Sequence, residues 1–293
     1  MKNNIKIGFV GTGVMGKSMA LHLLQGEYKV FVYNRTKSRA DDLIENGAIW
    51  MDTVGEIARE ADIIITMVGY PADVEEIYFG DDGIIENAKP GSTIIDMTTS
   101  KPSLAKEIYK VAKKKGINAL DAPVSGGDIG ARNGTLAIMV GGNFDIFEKT
   151  KDLFECMGNN IVWQGEAGAG QHTKMCNQIA IASNMIGVCE AMVYAKNAGL
   201  VPEIVLKSIG AGAAGSWSLN NLAPRMVKGD FEPGFYVKHF IKDMSIALSE
   251  AKEMGFSTPG LALAKSLYDQ LASDGLENDG TQVLFQLLQD YND

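Results

Sequence analysis

Two kinds of apolar pattern divide the chain. In its first half, short runs rich in Ile and Val alternate with segments whose apolar residues recur every three or four positions. Short, continuously apolar runs indicate buried strands, and a three-to-four spacing is typical of amphipathic helices. The predicted strands are residues 5–10, 29–33, 63–68 and 93–97, and the predicted helices are 14–25, 37–46, 54–61 and 102–115.

Strands that alternate with helices predict a parallel sheet that carries helices on both faces. Three further apolar runs extend this sheet, and a helix precedes the last of them. The runs are residues 118–120, 136–140 and 161–163, and the helix is 144–157. We therefore predict an α/β domain over residues 1–164.

After Gln164 the pattern becomes helical, and no convincing strand follows Ala169. Glycines stand near the ends of these helical patterns, where a left-handed residue often closes a helix. The predicted helices are residues 169–197, 202–211, 237–254, 261–274 and 282–289, and the closing glycines are Gly199, Gly212, Gly255 and Gly275. An all-α domain is therefore predicted over residues 165–293.

Composition narrows the class of partner. The 293 residues carry a formal net charge of -9, which argues against nucleic acid or an anionic membrane as a general partner.

Three cysteines without a C-x-x-C pair indicate reduced thiols. The first residues lead into a strand without a signal-peptide pattern, so we expect a cytoplasmic protein. The most apolar segment, residues 179–195, is interrupted by Asn184 and Glu190 and predicts a buried helix.

A glycine pattern links the first predicted strand to the first predicted helix. Gly11, Gly13 and Gly16, with Val14 and Met15 between them, fit G-x-G-x-x-G. In a dinucleotide loop such glycines allow a tight turn, close approach of the pyrophosphate, and packing of helix on strand. The pyrophosphate would lie at the helix N-terminus, where free N–H groups favour an anion. The alternative is a plain tight turn.

The end of the second predicted strand bears on the choice of cofactor. It reads Asn34-Arg35-Thr36-Lys37, without the carboxylate that usually binds the ribose 2′-hydroxyl of NAD. A carboxylate would repel a 2′-phosphate, whereas the Arg35 guanidinium can pair with one, aided by Thr36. We predict that NADPH is preferred over NADH. The alternative is a solvated arginine at a strand end.

Ser125, Gly126 and Gly127 lie in a D-A-P-V-S-G-G sequence that follows a predicted strand. Consecutive small residues let backbone N–H groups converge on an anion such as a substrate carboxylate, and the Ser125 hydroxyl adds a donor. This loop is therefore a candidate for binding the substrate. The alternative is a flexible connection between strands.

Lys174 and Asn177 stand three residues apart at the start of the long predicted helix, a spacing that places both on one helical face. Hydride transfer to a carbonyl leaves negative charge on oxygen, which an ammonium group can stabilise before it donates a proton. Asn177 could orient the lysine or bind the substrate oxygen. A single helical lysine is usually a solvent-facing residue, and only the two loops favour a catalytic role here. No metal is predicted, because no H-E-x-x-H or similar spacing occurs.

Four motifs in this chain resemble those of the β-hydroxyacid dehydrogenase family, which includes 3-hydroxyisobutyrate dehydrogenase, tartronate semialdehyde reductase and the glyoxylate/succinic semialdehyde reductases. They are GFVGTGVMG, DAPVSGG, GEAGAGQHTKMCNQ and FYVKHFIKDMSIAL. The resemblance covers essentially the whole chain. It implies an α/β Rossmann N-terminal domain, an all-α C-terminal domain and a long interdomain helix, usually in a homodimer or homotetramer. It also implies an NADP-dependent enzyme that interconverts a small carboxylate-bearing aldehyde and a hydroxyacid.

The resemblance implies roles for individual residues. Lys174 would be catalytic with Asn177 beside it, and Ser125, Gly126 and Gly127 would hold the substrate carboxylate. Further implied contacts are Phe235 and Asp243 for the substrate, and Met67, Val68, Thr99 and Lys242 for the cofactor. One departure is visible near the C-terminus, where Asp279-Gly280-Thr281 replaces the D-x-S of many relatives.

Other functions stay open. 6-Phosphogluconate dehydrogenases share the first domain but typically read K-x-x-H-N and are much longer. Imine reductases share the architecture and usually replace the lysine. A non-catalytic NADP-binding interaction module is a further alternative, and the presence of both Lys174 and Asn177 argues against it.

Overall fold

The chain separates into two compact units between Lys174 and Met175 in the computed structural model, which describes residues 5–291. The first unit holds a nine-stranded sheet with helices, and the second holds helices. The predicted α/β domain followed by an all-α domain is confirmed. The predicted domain boundary after residue 164 falls at the end of a strand, whereas the division into units falls inside a helix.

Strands and helices alternate along the first unit. The strands are β1 (Lys6–Val10), β2 (Lys29–Tyr33), β3 (Ile49–Trp50), β4 (Ile63–Thr66), β5 (Thr93–Asp96), β6 (Asn118–Asp121), β7 (Val124–Ser125), β8 (Leu136–Gly142) and β9 (Gly158–Gly165). The helices are α1 (Val14–Gln25), α2 (Asp41–Glu45), α3 (Val54–Glu60), α4 (Pro71–Phe79), α5 (Ile84–Asn87), α6 (Pro102–Lys114), α7 (Gly127–Asn133) and α8 (Phe144–Phe154), with a 3-10 turn at Lys37–Ala40 before α2.

The sheet has the order β3-β2-β1-β4-β5-β6-β8-β7, and β9 pairs with β8. The first six strands in space run parallel in the order 3-2-1-4-5-6, which is that of the Rossmann fold. The expectation of a wholly parallel sheet is wrong at one end, because β8 runs antiparallel to β6 and β7. Its direction depends on a connection through β7 and α7 that the apolar pattern does not reveal.

Alternate strand residues enter two different cores. Ile65 and Ile95 pack into the cluster on one face of the sheet, whereas Ile64 and Ile94 pack into the cluster on the other face. Side chains alternate across a strand, so covering both faces requires apolar residues at every position. This explains why the sequence shows continuous Ile and Val runs here.

Several short elements were missed by the sequence analysis. They are β3, β7, α4, α5 and α7. Two-residue strands such as β3 and β7 leave no detectable period. Helix α4 did carry start signals, because Pro71 occupies its first turn and the Asp73 side chain accepts a hydrogen bond from the Tyr70 N–H.

The second unit is built from α9 (Ala169–Asn197), which begins in the first unit, and from α10 (Pro202–Ile209), α11 (Trp217–Asn221), α12 (Ala223–Val227), α13 (Val237–Glu253), α14 (Pro259–Ser273) and α15 (Leu284–Asp290). A 3-10 turn, Thr281–Val283, precedes α15. Within the described part of this unit, residues 175–291, β-structure is limited to a bridge between Tyr236 and Gly280. Helices α11 and α12 were not predicted. Gly212 does not close a helix, because α10 ends at Ile209.

Helix α9 is the longest element of the chain, with 29 residues. By length and composition alone it could cross a membrane, but 44% of its most apolar window is buried inside the fold. Core helices of soluble proteins meet the same two criteria. Met185, Cys189 and Met192 of α9 pack in the core of the second unit with Phe240 and Tyr268.

Candidate active site

The three glycines of the loop between β1 and α1 have different surroundings. A Cβ on Gly11 would lie 2.2 Å from the Met67 carbonyl oxygen, and its φ of +97° favours glycine. A Cβ on Gly16 would lie 1.9 Å from the Gly11 carbonyl oxygen, so this glycine lets α1 pack against the loop. A Cβ on Gly13 would meet no protein atom within 4 Å. The fold therefore explains Gly11 and Gly16 but not Gly13.

The surroundings of Gly13 have the features expected of an anion-binding helix start. Gly13 is the N-cap of α1, and neither a side-chain cap nor an acidic residue occupies the first turn. The N–H groups at this helix start can therefore bind an anion. The buried hydroxyl of Thr12 has no hydrogen-bond partner within the described structure and is a further polar group that a ligand could satisfy. Val14 projects from the same turn and is 60% exposed, while Met15 is half-buried.

Asn34 at the end of β2 supports the glycine loop. Its Oδ1 accepts a hydrogen bond from the Thr12 N–H at 3.1 Å, and its Nδ2 donates to the Thr36 carbonyl at 2.9 Å. Thr36 is exposed. The neighbouring Arg35 side chain is 78% exposed, and its Nη1 lies 3.1 Å from Oδ1 of Asp73 on α4. A cation thus stands at this strand end, together with an acidic partner that the sequence analysis did not find.

The ends of β4 and β5 place the other predicted cofactor contacts of the first unit. Met67 and Val68 follow β4 directly and are half-buried, as is Thr99 after β5. The Val68 N–H donates to the Thr98 hydroxyl at 3.0 Å, which ties the two strand ends together. In an open α/β sheet ligands bind outside the carboxyl ends of the strands, where these residues lie.

The candidate substrate loop combines β7 with the start of α7. Ser125 ends β7, and Gly126 and Gly127 follow with φ angles of +132° and +62°. Two successive positive φ angles require glycine and turn the chain sharply into α7. Gly126 is exposed, and Ser125 and Gly127 are half-buried, so the loop is accessible to a ligand.

Asp121, which opens the same motif, fixes the start of α9. Its Oδ1 accepts a hydrogen bond from the Gly168 N–H at 2.7 Å, and its Oδ2 accepts one from the Gln171 N–H at 2.8 Å. Gly168 directly precedes α9 and Gln171 lies in its first turn, so neither N–H group has an acceptor within the helix. Burial raises the pKa of Asp121, and the two backbone hydrogen bonds oppose that rise.

Gln171 makes a second attachment between α9 and the sheet. Its side chain accepts from the Ser100 N–H at 2.9 Å and donates to the Thr98 carbonyl at 2.7 Å. The residue has no exposed surface. Three positions later, Lys174 is only 7% exposed. The lysine therefore follows a helix start that is fixed at two points.

Asn177 belongs to the second unit and begins a series of polar contacts there. Its Nδ2 donates to Oε1 of Gln178 at 2.7 Å, and Nε2 of Gln178 donates to Oδ2 of Asp243 at 2.6 Å. The other carboxylate oxygen, Oδ1, lies 2.9 Å from Nζ of Lys242. The two side chains form an ion pair, while Oδ1 of Asp243 accepts no hydrogen bond within residues 5–291. Asp243 is 2% exposed, so its charge is compensated inside the fold.

Phe235 is half-buried and packs on Phe240, with 5.4 Å between the ring centroids. Its carbonyl accepts a hydrogen bond from the Thr281 N–H at 3.1 Å. Thr281 itself is buried, and its carbonyl accepts a hydrogen bond from the Tyr268 hydroxyl at 2.7 Å. The departure from D-x-S at this position thus lies in a buried contact of the Phe235 segment.

Asp121, Gln171 and Gln178 were not among the predicted site residues. A signal existed for the two glutamines, because they stand three residues before and four residues after Lys174 on one helix. No such signal exists for Asp121, whose partners lie 47 and 50 residues away. Among residues 5–291, no group of three or more His, Cys, Asp or Glu side chains is placed to hold a metal ion.

Two family models together match nearly the whole chain, including all the site residues described above. Residues 6–165 match the NAD binding domain of 6-phosphogluconate dehydrogenase. Residues 168–288 match the NAD-binding domain of NADP-dependent 3-hydroxyisobutyrate dehydrogenase. The chain belongs to the β-hydroxyacid dehydrogenase family.

Individual members of the β-hydroxyacid dehydrogenase family are similar over nearly the full length. An uncharacterized oxidoreductase of Bacillus subtilis strain 168, YkwC, is 68% identical and covers 96% of this chain and 98% of that protein. The 2-hydroxy-3-oxopropionate reductase of Escherichia coli K12 is 38% identical, with 97% of each covered. A structure of Mycobacterium tuberculosis 3-hydroxyisobutyrate dehydrogenase with L-serine has a TM-score of 0.89 at 29% identity, covering 97% of this chain and 99% of that one.

As a β-hydroxyacid dehydrogenase, the chain is an oxidoreductase that acts on CH–OH groups of hydroxyacids and has an NAD(P)-binding Rossmann domain. One of the two matched families is an NAD binding domain, and the other belongs to NADP-dependent enzymes. Membership in the family therefore determines neither the preferred cofactor nor the particular hydroxyacid.

Proposed function

We propose that this chain is an NADPH-dependent reductase of a small carbonyl acid, reversible toward the hydroxyacid, with Lys174 as general acid/base. The observation that carries the proposal is the burial of Lys174, which is 7% exposed, immediately after the doubly attached start of α9. Lysine is rarely buried in a protein unless its charge is used or compensated. A buried ammonium group in a region of low dielectric also acts more strongly on a nearby negative charge.

Each residue has a distinct part in the proposed reaction. The bound nicotinamide would supply the hydride. The Lys174 ammonium group stabilises the oxygen on which negative charge develops and then donates its Nζ proton to it. In the direction of oxidation the neutral amine accepts the hydroxyl proton. Asn177 orients the lysine or binds the same oxygen through its side-chain amide.

The substrate carboxylate is proposed to bind at Ser125, Gly126 and Gly127. The partly exposed position of Ser125 and the sharp turn at the two glycines support this role. Phe235 and Asp243 are proposed as further substrate contacts, and Lys242 as a contact of the nicotinamide. The ion pair between Lys242 and Asp243, with 2.9 Å between Nζ and Oδ1, would hold the lysine in a fixed position.

The preference for NADPH is proposed from the end of β2. Asn34 uses its side-chain amide on the backbone of Thr12 and Thr36, and no carboxylate stands next to it in the sequence. The exposed guanidinium of Arg35 and the hydroxyl of Thr36 are available to a 2′-phosphate at this edge. The Met67, Val68 and Thr99 positions at the neighbouring strand ends would contact the rest of the cofactor.

A substrate panel tests the proposal. Glyoxylate, succinic semialdehyde, tartronate semialdehyde and methylmalonate semialdehyde each carry a carboxylate and a nearby aldehyde. We expect at least one of them to be reduced with NADPH by the wild type and by Lys196→Ala, an exposed change on the same helix. Lys174→Ala should lose turnover while it still binds NADPH. A lack of turnover on every member of the panel would favour a non-catalytic NADP-binding protein instead.

We also propose a homodimer or homotetramer located in the cytoplasm. Large apolar side chains exposed on the second unit support self-association, among them Tyr194 at 74%, Ile204 at 61% and Trp217 at 59%. Light scattering coupled to gel filtration measures the mass directly, and a monomer at micromolar concentration would contradict the assembly. Fractionation of cells tests the location.

A further inference from the structure

A carboxylate stands opposite the candidate 2′-phosphate site. Arg35 follows β2, and its guanidinium lies 3.1 Å from Oδ1 of Asp73, which belongs to the first turn of α4. The two residues are 38 positions apart in the sequence. The strand end that lacks a carboxylate of its own thus receives one from a different element.

The two partners differ in how firmly they are held. The Asp73 side chain is 15% exposed, and its Oδ2 accepts a hydrogen bond from the Tyr70 N–H at 3.0 Å. That bond forms part of the cap of α4, so the carboxylate has a fixed position. The Arg35 side chain is 78% exposed, so it can rotate toward a ligand. A phosphate that approaches this site must therefore share the guanidinium with Asp73 or draw it away.

The second cation at this strand end is held differently. The Lys37 ammonium group lies 5.1 Å from the centroid of the Trp50 ring, and that ring stacks on Tyr33. An aromatic ring carries no net charge, so it holds an ammonium group less strongly than a carboxylate does and competes less with a phosphate for it. Competition for the cation is therefore stronger at Arg35 than at Lys37.

We propose that Asp73 is a specificity-determining residue that competes with the cofactor 2′-phosphate for Arg35 and so limits the preference for NADP(H). The inference rests on the proposed role of Arg35. The Asp73 carboxylate weakens NADP(H) binding because it retains the Arg35 guanidinium and because it repels a dianionic phosphate. NAD(H) carries a neutral 2′-hydroxyl at this position, so Asp73 has little effect on its affinity.

Equilibrium binding of NADP+ and NAD+ to the full chain tests the competition. Asp73→Asn removes the charge and keeps an oxygen that can accept the Tyr70 N–H. We expect this variant to bind NADP+ about fivefold more tightly than the wild type, given the modest strength of exposed ion pairs, and to bind NAD+ equally well. The matched control is Glu75→Gln, which removes one exposed charge from the same helix and should leave both affinities unchanged.

Arg35→Ala separates this inference from the proposal on which it rests. If Arg35→Ala weakens NADP+ binding, the role of Arg35 stands. Asp73→Asn should then tighten NADP+ binding less in that background than in the wild type, because only the repulsion between Asp73 and the phosphate remains to be relieved. If Asp73→Asn is silent in the wild-type background, weakens NADP+ binding, or tightens both cofactors equally, the competition is overturned while the role of Arg35 survives. If Arg35→Ala itself leaves NADP+ binding unchanged, the cofactor proposal fails instead.

Discussion

The carboxyl edge of one sheet carries charged residues of two kinds. At the end of β2, Arg35 is 78% exposed and pairs with Asp73, whose side chain is 15% exposed. At the ends of β5 and β6, Asp96 and Asp121 are each 4% exposed and receive hydrogen bonds from backbone N–H groups. The exposed charges are free to exchange partners, while the buried ones are committed to the fold.

This difference separates two kinds of sensitivity. Exposed charges are screened by salt, so changes at Arg35 should alter cofactor choice in a salt-dependent way. Buried charges are governed by desolvation and hydrogen bonding, so changes at Asp96 or Asp121 should alter stability. A change at Asp121 should also alter the placement of α9, which it contacts directly. Cofactor choice and proton transfer can then be changed independently.

The largest contrast is expected within the glycine loop. Gly16→Ala places a Cβ 1.9 Å from the Gly11 carbonyl oxygen, and we expect it to cost about 3 kcal/mol or more of unfolding free energy. Gly13→Ala meets no protein atom within 4 Å, so we expect stability close to that of the wild type. Cofactor binding should nevertheless weaken about tenfold, because the new methyl group stands where the pyrophosphate approaches.

Urea unfolding and cofactor titration of both glycine variants provide the check. If Gly13→Ala binds the cofactor as tightly as the wild type, the pyrophosphate does not lie at this helix start. If Gly16→Ala is as stable as the wild type, the close packing of α1 on the loop is wrong.

Asp96 gives the next largest effect, and it depends on pH. Burial raises the pKa of this carboxyl from 3.8 to about 6, against hydrogen bonds from Thr66 and Thr98. The folded state thus favours the neutral form of Asp96, and the stability that this preference contributes is fully present below pH 4. It is lost as the pH rises toward 6. The loss amounts to about 3 kcal/mol and is complete above the folded-state pKa.

Comparison with Asp96→Asn isolates this contribution. The unfolding free energy of the wild type relative to the variant should fall between pH 4 and pH 6 and then stay level. Asp121 also raises the pKa of Asp96, so the same measurement on Asp121→Asn shows whether the two carboxyls titrate together. Parallel pH dependence of the wild type and Asp96→Asn would mean that Asp96 does not titrate in this range.

Asp121→Ala is expected to have a smaller effect on stability, about 2 kcal/mol, because it leaves the N–H groups of Gly168 and Gln171 without an acceptor. Turnover should fall as well, since the start of α9 is loosened ahead of Lys174. Glu148→Ala, an exposed change on α8, is the control. If Asp121→Ala is destabilised but keeps the wild-type turnover, the hydrogen bonds of Asp121 stabilise the start of α9 without determining the position of Lys174.

The regular elements were predictable from the sequence wherever one local pattern determines them. Strand β2 and helix α1 have the predicted bounds, because continuous apolar runs and a helical spacing are properties of neighbouring residues. The antiparallel direction of β8 was not predictable in the same way, because it depends on how a short helix and a two-residue strand return the chain.

The candidate site shows the same difference between local motifs and long-range contacts. The glycine loop and the Lys174 position are local motifs and were predicted. The attachments at Asp121 and Gln171, and the carboxylate at Asp73, join residues that are 38 to 73 positions apart. Such long-range partners cannot be identified from a single sequence, because many other polar residues of the chain could have made the same hydrogen bonds or ion pairs.

The most direct test of the central claim is the turnover number of Lys174→Ala on the best substrate, without and with a small primary amine in the buffer. We predict a loss of about 100-fold to 10,000-fold, as is usual for a removed general acid/base, and partial recovery as the amine concentration rises. Cofactor affinity should stay near that of the wild type. A turnover number close to the wild-type value without added amine would contradict the assignment of Lys174 as the proton donor.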